Sequence, residues 1–411
     1  MNKHLPEEII NFFSTKEIWQ YINILVRIFV KYNVEYYFVG GAVRDGIICL
    51  LNPKKKYHIQ DIDIVICNKE LNYLIKKIKC LEQFKNAEIK TYTQFLTASI
   101  SIDKYRIDLS CPRKEKYNFS GALPSVSKGT IEEDLFRRDF TINSIAIMWD
   151  KKSCSYKFYD PFCGMKDIKY NLIRVLHKKS FFDDPTRIIR AIRFSTSLDY
   201  ELEKNTKKYL TNAVDKNVLL NISRDRLVNE FLCLLKKCDD IFLAIKMLKK
   251  YNIAKSYDFI EDFLKLLEKD GKKLNLKKVD ISKEDRYFIR LLYLFDKVLS
   301  KSNFYNKKIF IKQKLDILKL KKEEKLKINN AIDFLYYGKK SDYSWVSKYV
   351  EVFNKKIFVP IISAKDLLDL GVNPGPVIGE ILLKIKQLQQ KGKLHTKFDA
   401  IKFVKQLLRL K

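Results

Sequence analysis

The chain has 411 residues, of which 46% are hydrophobic, so it can form several domains and is too apolar to be a disordered chain. Its formal net charge is +31, and this charge is unevenly distributed. Residues 1–150 hold 22 Lys and Arg against 18 Asp and Glu, whereas the remaining residues hold 58 against 31. A nearly neutral front with a strongly basic rear predicts chemistry in the first part and a polyanion bound by the rest.

The sequence gives no sign of a membrane span or an export signal. The longest apolar candidate, residues 22–30, is interrupted by Arg27 and is far shorter than the roughly 18 residues that a span needs. The first residues lack a signal-peptide pattern. The eight cysteines include no Cys-x-x-Cys pair, which favours reduced thiols. We therefore expect a cytoplasmic protein without a membrane partner.

Helix and strand signals alternate over the first 165 residues. Apolar spacing predicts helices at 5–31 and 71–79. Short apolar or alternating runs predict strands at 36–39, 58–66, 97–102, 105–109, 142–149 and 156–159, of which 142–149 also fits a helix. This alternation predicts a small mixed β-sheet with helices.

Strand signals fade after about residue 165, and helical spacing takes over. Helices are predicted at 182–195, 224–237, 240–251, 259–269, 283–300, 319–337, 363–370, 377–390 and 398–410. The predicted fold class is therefore α+β, with the mixed sheet domain first and an all-helical part after it.

Two aspartates on the second predicted strand are candidates for metal chemistry. Asp61 and Asp63 are two residues apart, so on a strand both side chains point to one face. Asp108, on a later predicted strand, can supply a third carboxylate. Neighbouring carboxylates repel one another unless a hard divalent cation such as Mg²⁺ binds them, and such a cation supports in-line attack on a phosphoryl group. Taken alone, the pattern also fits a solvated strand face.

A glycine pair follows the first predicted strand. Gly40 and Gly41 stand where that strand meets the next helix, and bare backbone N–H groups at such a turn can bind phosphates. Arg44, a few residues on, can neutralise part of a triphosphate. An ordinary glycine turn is the alternative.

Five motifs occur in the order found in the class II tRNA nucleotidyltransferases and the bacterial poly(A) polymerases, which the chain resembles. They are Gly40-Gly41-x-Val43-Arg44-Asp45 with Asp61-x-Asp63, Arg137-Arg138-Asp139-Phe140-Thr141-Ile142-Asn143, Asp160-Pro161-x-x-Gly164-x-x-Asp167, Asp183-Asp184-Pro185-Thr186-Arg187, and Ser223-Arg224-Asp225-Arg226. A tail segment with Gly371, Gly375 and Gly379 also resembles the bacterial members. The resemblance is dense over about residues 35–235 and sparse in the tail.

This resemblance implies a division of the chain and a role for each motif. The domains implied are a catalytic nucleotidyltransferase head at 1–165, a base-selecting neck at 166–235, and a tRNA-binding helical body and tail at 236–340 and 341–411. Catalysis is assigned to Asp61, Asp63 and Asp108, with Mg²⁺ held by Asp61 and Asp63. The nucleotide-binding residues implied are Gly40, Gly41, Arg44, Arg138, Asp139, Asn143, Asp184, Arg187 and Arg190.

The choice of base can be argued from Asp184 and Arg187. They are three residues apart, so on one helix they share a face. A carboxylate acceptor and a guanidinium donor fit the amino group and ring nitrogen of cytosine or adenine and mismatch guanine and uracil. Two buried mismatches at about 1–3 kcal/mol each give strong discrimination. A surface ion pair is the alternative, and Asp183 is interpreted as a scaffold carboxylate able to pair with Arg187.

The sequence predicts a template-independent enzyme that adds C and A to the 3′ end of tRNA from CTP and ATP, with no protein partner implied. Residues 117–130 resemble the loops of bacteria that divide CC addition and A addition between two enzymes, so an A-adding or CC-adding enzyme is an alternative. The segment between the catalytic aspartates and Arg137 has its full length, which argues against CC addition alone. A poly(A) polymerase, a small-molecule nucleotidyltransferase and a non-catalytic tRNA-binding protein are the remaining alternatives.

Overall fold

The computed structural model divides into two compact units, residues 1–271 and 272–411. The described residues are 5–53, 59–253, 282–301, 323–324, 326–328, 330–331, 361–390 and 393–409. The helix predicted at 259–269, and that at 319–337 except for a few positions, lie outside these residues. Within the described ranges, no helix has the length and apolar character needed to cross a membrane.

The first unit is built on a mixed β-sheet. The strands are β1 Tyr36–Val39, β2 Asp61–Ile66, β3 Glu88–Tyr92, β4 Thr97–Ile102, β5 Tyr105–Ser110, β6 Arg113–Lys116, β7 Ser125–Lys128, β8 Ala146–Asp150, β9 Ser155–Tyr159, β10 Leu172–Ile173 and β11 Glu201–Leu202. Seven of them form one sheet in the order β3-β4-β5-β2-β1-β8-β9. Only β2 and β5 run parallel in that sheet, and its other neighbours are antiparallel.

Helices cover this sheet and continue beyond it. Those of the first unit are α1 Leu5–Ser14, α2 Trp19–Lys31, α3 Gly41–Leu51, α4 Leu71–Lys79, α5 Ile131–Phe136, α6 Gly164–Lys169, α7 Ser180–Asp183, α8 Thr186–Leu198, α9 Lys204–Asp215, α10 Arg224–Lys237 and α11 Ile241–Lys250. Phe13 of α1 and Phe29 of α2 are fully buried, and Phe13 packs edge-on against Phe38 of β1. One face of the sheet is therefore closed by an aromatic core.

The second unit is helical in its described residues. Its helices are α12 Lys283–Lys301, α13 Ala364–Asp369, α14 Pro376–Gln390 and α15 Lys397–Arg409. The last three share a small core that includes Leu367, Ile385 and Val404. The predicted order of a mixed sheet followed by helices is confirmed, and the fold class is α+β.

The helix predicted at 182–195 is wrong as a single element. Asp184 separates α7 from α8, because it is extended (φ −132°, ψ 96°) directly before Pro185. A residue that precedes proline is pushed out of the helical region by the proline ring. The break moves Asp184 off the helix that carries Arg187.

The helix predicted at 5–31 is likewise divided. The hydroxyls of Ser14 and Thr15 donate to the carbonyls of Asn11 and Phe12 at 2.7 and 2.8 Å, where α1 ends. Such local bonds compete with helix propagation. The segment predicted at 142–149 is a strand from Ala146 onward, preceded by a single 3₁₀ turn.

Candidate active site

The carboxylates singled out from the sequence lie together on the open face of the sheet. Asp63 of β2 is the register partner of Asp108 in the parallel neighbour β5, and Asp61 is the partner of Arg106. Adjacent strands are about 4.8 Å apart, so Asp63 and Asp108 lie side by side. Ile62, between the two aspartates, points the other way and is buried.

The three carboxylates interact electrostatically. Burial raises the pKa of Asp63, the charge of Arg138 opposes this rise, and the negative charges of Asp108 and Asp61 add to it. The guanidinium of Arg106 donates hydrogen bonds to Asp108, and its Nε lies 3.0 Å from both carboxylate oxygens. One guanidinium therefore neutralises part of a strongly negative surface.

The donor set fits a hard divalent cation. Asp61, Asp63 and Asp108 offer only oxygen ligands, and a cation among them would remove the repulsion that raises the pKa of Asp63. No three His, Cys, Asp or Glu side chains already converge as a metal cage in the described portion of the chain. Asp61 and Asp63 are the two residues that would hold the ion, and Asp108 would join them on release from Arg106.

Gly40 brings the backbone against these carboxylates. It stands at the turn between β1 and α3 with φ +77° and ψ −142°, a conformation that side chains disfavour. A Cβ at this position would lie 2.5 Å from Oδ2 of Asp63 and 3.1 Å from Nη1 of Arg138. Glycine is therefore required here both by conformation and by close approach to Asp63.

A buried polar network stands on the β1 side of Asp63. Arg44 donates from Nη1 to Oδ1 of Asn143 at 2.6 Å, and Asn143 donates from Nδ2 to Oδ1 of Asp139 at 2.8 Å. Arg190 of α8 donates from Nε to Oδ2 of Asp139 at 3.0 Å and lies 3.5 Å from Glu230 of α10. The network joins α3, α8 and α10, and it gives Arg190 the role of holding Asp139.

The charge of Asp139 is held by its neighbours. Burial alone would raise its pKa, but the charge of Arg190 and the hydrogen bond from Asn143 keep that pKa well below its usual range. Asp139 is thus ionised at neutral pH and fixes the orientation of two side chains assigned to nucleotide binding.

Two arginines in this region have unused buried donors. Arg138 donates from Nη2 to the buried Asp134 at 3.1 Å, but its Nε has no hydrogen-bond partner among the described residues. The same holds for Nε of Arg193. Buried donors without partners are rare in proteins, and beside these carboxylates they fit an anionic ligand.

Arg193 is the site residue that the sequence reasoning missed. The guanidinium carbons of Arg44, Arg190 and Arg193 lie 5.1, 5.7 and 4.5 Å from the centre of the Phe194 ring. Arg190 and Arg193 are three residues apart on α8, which is the signal that could have found the second of them. The cluster concentrates positive charge beside the carboxylates of Asp139 and Glu230.

Arg187 lies on α8 and Asp184 directly before it, so the two are not on one helix as the spacing predicted. Asp184 precedes α8, and its Oδ1 accepts hydrogen bonds from Thr186 and from Nη2 of Arg226 at 2.8 Å. Arg187 is buried and donates to Oγ of Ser180 and to the carbonyl of Arg137. The proposed pairing of Asp183 with Arg187 is wrong, since Asp183 lies 3.8 Å from His177 instead.

The segment singled out at 117–130 lies mostly in a hairpin. Strands β6 and β7 pair over residues 113–128, and Nη1 of Arg226 donates to the carbonyl of Gly121 at its tip at 2.9 Å. A Cβ on Gly121 would lie 2.7 Å from the carbonyl oxygen of Asn221. Arg226 therefore bonds the hairpin tip and Asp184 at the same time.

Carboxylates on neighbouring strands, a glycine turn against them and a buried guanidinium cluster together define a nucleotidyltransferase. The family of Poly A polymerase head domains matches residues 36–174, which contain all of these features except the arginines of α8. The CCA-adding enzyme of Ligilactobacillus salivarius is 31% identical over 391 residues, covering 86% of this chain and 87% of that enzyme. The chain belongs to the family of class II tRNA nucleotidyltransferases, and the resemblance found in its motifs is confirmed.

Relatives with two different names match the chain. The A-adding tRNA nucleotidyltransferase of Aquifex aeolicus is 36% identical over 228 residues, covering 55% of this chain but only 26% of that protein. The A-adding tRNA nucleotidyltransferase of Halalkalibacterium halodurans is 26% identical over 429 residues, covering 97% and 95%. The chain thus spans about a quarter of the first relative and nearly all of the second.

The fold likeness extends beyond the head. The solved structure of the Thermotoga maritima CCA-adding enzyme complexed with tRNA is 24% identical, with a TM-score of 0.57 and coverage of 96% of each chain. At this identity the match establishes a common fold.

Proposed function

We propose that this chain adds C and A to the 3′ end of tRNA, using CTP and ATP and releasing pyrophosphate without a nucleic acid template. The observation that carries the proposal is the register pair Asp63 and Asp108 beside the Gly40 turn and the arginine network. This arrangement places carboxylates next to backbone and guanidinium groups suited to a triphosphate. Terminal A addition is supported most strongly, because both named groups of relatives share it.

The nucleotide is proposed to bind on the β1 side of Asp63. Gly40 and Gly41 let phosphates approach the backbone at the start of α3, and Arg138 and Arg193 offer their unused donors. Arg44, Asn143, Asp139 and Arg190 form the wall that holds the ribose and phosphates in place. The in-line reaction then joins the RNA 3′-oxygen to the α-phosphate and breaks the bond to pyrophosphate, while the hydroxyl proton passes to solvent water.

We propose Mg²⁺ as the divalent cation of the site, held by Asp61 and Asp63 with Asp108. When bound, such an ion lowers the pKa of an attacking hydroxyl and neutralises phosphate charge. The chain contributes the oxygen ligands from two neighbouring strands, and the charge of Arg138 opposes the rise in the pKa of Asp63 that burial and the neighbouring carboxylates cause.

Asp184 and Arg187 are proposed to choose the base. The bonds that Asp184 receives from Thr186 and Arg226 all end on Oδ1, and no described residue donates to its Oδ2. That oxygen can accept the amino group of cytosine or adenine. Arg187 uses two of its five N–H donors on Ser180 and Arg137, so the others can donate to a ring nitrogen.

The basic remainder of the chain is proposed to bind the tRNA. Residues 151–411 hold 58 Lys and Arg against 31 Asp and Glu, a surplus that suits phosphate contacts along the acceptor arm. We keep the division into head 1–165, neck 166–235, body 236–340 and tail 341–411 as a proposal about function. Binding of this kind depends on backbone shape and charge, so it is not expected to distinguish one tRNA from another.

The proposal is tested with tRNAs that end before CCA, after C and after CC. Each is incubated with Mg²⁺ and with the four nucleoside triphosphates, singly and together, and product lengths are read on a sequencing gel. Addition of C, C and A to the shortest tRNA is expected. Absence of addition to every substrate would contradict the proposal and leave a tRNA-binding protein, whereas long A tails would identify a poly(A) polymerase.

An A-adding enzyme is the second candidate. It is favoured by the match to the H. halodurans A-adding enzyme over nearly the full length of both chains. In the same experiment this candidate extends only the tRNA that ends in CC, and by a single A. The two candidates are therefore separated by the shortest tRNA.

A further inference from the structure

A groove of about 440 Å³ lies on the open face of the sheet, on the β5 side of the carboxylates. Its lining includes Lys90 and Tyr92 of β3, Ser99 of β4, and Arg106 and Asp108 of β5. Asp108 therefore belongs both to the groove and to the carboxylate group. No role described above uses Lys90, Tyr92 or Ser99.

The groove follows a row of register partners across the sheet. Lys90 pairs with Ser99, Ser99 with Asp108, and Asp108 with Asp63, so these four residues cross β3, β4, β5 and β2 in a line. With strands about 4.8 Å apart, the row spans about 14 Å, which is enough for more than one nucleotide. A polymer lying in the groove would end at the carboxylates.

The groove lies on the side of Asp63 from which in-line attack requires the attacking hydroxyl to approach. The Gly40 turn and the arginine network lie on the β1 side of Asp63, and the groove lies on its β5 side. In a phosphoryl transfer the attacking and leaving oxygens are on opposite sides of the phosphorus. If the triphosphate occupies the β1 side, the attacking hydroxyl arrives from the groove.

The lining has the chemistry of a single-strand binding surface. The side chains of Lys90 and Arg106 are 58% and 57% exposed, and Tyr92 is 45% exposed. Exposed cations that follow the backbone and an aromatic ring for stacking are the usual components of such surfaces. The arginines on the β1 side are far more buried, as a small and repeatedly bound nucleotide requires.

We propose that this groove binds the single-stranded 3′ end of the RNA primer, and that Arg106 leaves Asp108 to bind a backbone phosphate of that strand. The inference rests on the proposed function and names the part of the site that receives the primer. Arg106 is suited to this exchange because its guanidinium forks equally well to a carboxylate or a phosphate. In the free protein it stabilises Asp108 beside Asp63, and with RNA present it releases that carboxylate.

The test compares Arg106→Gln and Lys90→Gln with the wild-type protein on tRNA ending in CC. Each variant is expected to raise the KM for this tRNA about tenfold, with the KM for ATP changed less than about twofold, since one charged hydrogen bond to RNA is lost. Lys85→Gln is the matched control, because Lys85 is also exposed and paired with an acid on the same unit but lies outside the groove. It is expected to leave both constants unchanged.

A binding measurement gives a readout independent of turnover. Affinity for the same tRNA is measured without divalent cation over a range of salt concentrations, and the log–log slope is expected to fall by about 1 in each groove variant. A tRNA with 4-thiouridine as its last nucleotide is also photo-crosslinked to the wild-type protein. Crosslinks are expected within residues 90–108.

The outcomes separate this inference from the proposed function. A wild-type protein that adds nothing to any tRNA would defeat the proposed function. A protein that adds A normally, but whose Arg106→Gln variant has an unchanged KM for tRNA, would overturn the groove alone. A rise in the KM for ATP instead would show that the groove holds the triphosphate, and would also overturn the inference, as would crosslinks found only elsewhere.

Discussion

The two sides of strand β2 differ in how firmly their polar side chains are held. On the β1 side, Arg44, Asn143 and Asp139 are buried and bonded to one another, and Arg190 ties them to α8. On the β5 side, Arg106 has a single carboxylate partner and lies largely in solvent. One sheet thus supports a rigid wall and an open surface on either side of Asp63.

This difference matches two kinds of substrate. A nucleoside triphosphate enters in the same geometry at each addition, so a preorganised wall lowers the cost of orienting it. Under the proposed addition of C, C and A, the RNA end must move by one nucleotide after each addition, so few fixed contacts suit it better. The variants below therefore change how firmly the side chains on each side are held.

Gly40→Ala is expected to have the largest effect on the rigid side. The new Cβ would lie 2.5 Å from Oδ2 of Asp63 on a backbone with φ +77°, so Asp63 must move. A displacement of the Asp63 carboxylate by about 1 Å costs about 100-fold in kcat. Steady-state kinetics with ATP and tRNA ending in CC would measure this loss. Gly41→Ala, whose Cβ would lie 3.6 Å from Arg44, is expected to lose much less. Equal losses in the two variants would contradict the role given to Gly40.

Asp139→Asn is expected to destabilise the rigid wall itself. The ionised Asp139 is stabilised by Arg190, and removing one partner of a buried ion pair costs on the order of 3 kcal/mol at neutral pH. Because the pKa of Asp139 is lowered on folding, its contribution is complete above its ordinary value of 3.8 and is lost as the pH falls below that value. Urea unfolding of both proteins from pH 7 to pH 3 would show the difference in free energy of unfolding shrinking toward acid. A difference that stays constant with pH would show that charge is not the cause.

Arg226→Gln tests the link between Asp184 and the β6–β7 hairpin. It removes the bonds from Arg226 to Oδ1 of Asp184 and to the carbonyl of Gly121, so Asp184 is expected to lose its fixed orientation. Discrimination between ATP and GTP, measured as a ratio of kcat/KM, is expected to fall about tenfold. Lys208→Gln, on the exposed face of α9, removes a charge without touching Asp184 and is the control. Unchanged discrimination in the Arg226 variant would contradict the base-selecting role of Asp184.

Sequence patterns predicted the open side of the site well because strands have a simple period. The alternation around Asp61 and Asp63 placed both on one face, and the pair of runs ending near residue 109 placed Asp108 on a neighbouring strand. The parallel register of Asp63 with Asp108 could not be read from the sequence, since it depends on how β2 and β5 meet across the sheet. The strand β3, the β6–β7 hairpin and α9 have too few apolar residues to be recognised by periodicity.

The buried network was harder to predict than the carboxylates. The bond from Arg190 to Asp139 joins residues 51 positions apart, and it makes Arg190 a support for Asp139 in addition to the nucleotide contact predicted for it. Pro185 gave a local signal that Asp184 and Arg187 are not on one helix, which the three-residue spacing alone concealed. Sequence motifs and spacing therefore identified the residues of the site. Which partner each side chain bonds depends on contacts between residues far apart in the sequence.

The most direct test of the central claim is a single-turnover assay of Asp63→Asn. The variant is incubated with labelled ATP and tRNA ending in CC, and its tRNA affinity is measured in parallel with that of the wild-type protein. We expect A addition to fall on the order of 1000-fold, because Asp63→Asn removes one carboxylate of the Asp63–Asp108 pair. The affinity for tRNA is expected to change less than about twofold. Addition at a rate near that of the wild-type protein would contradict the assignment of Asp63 and the reaction built on it.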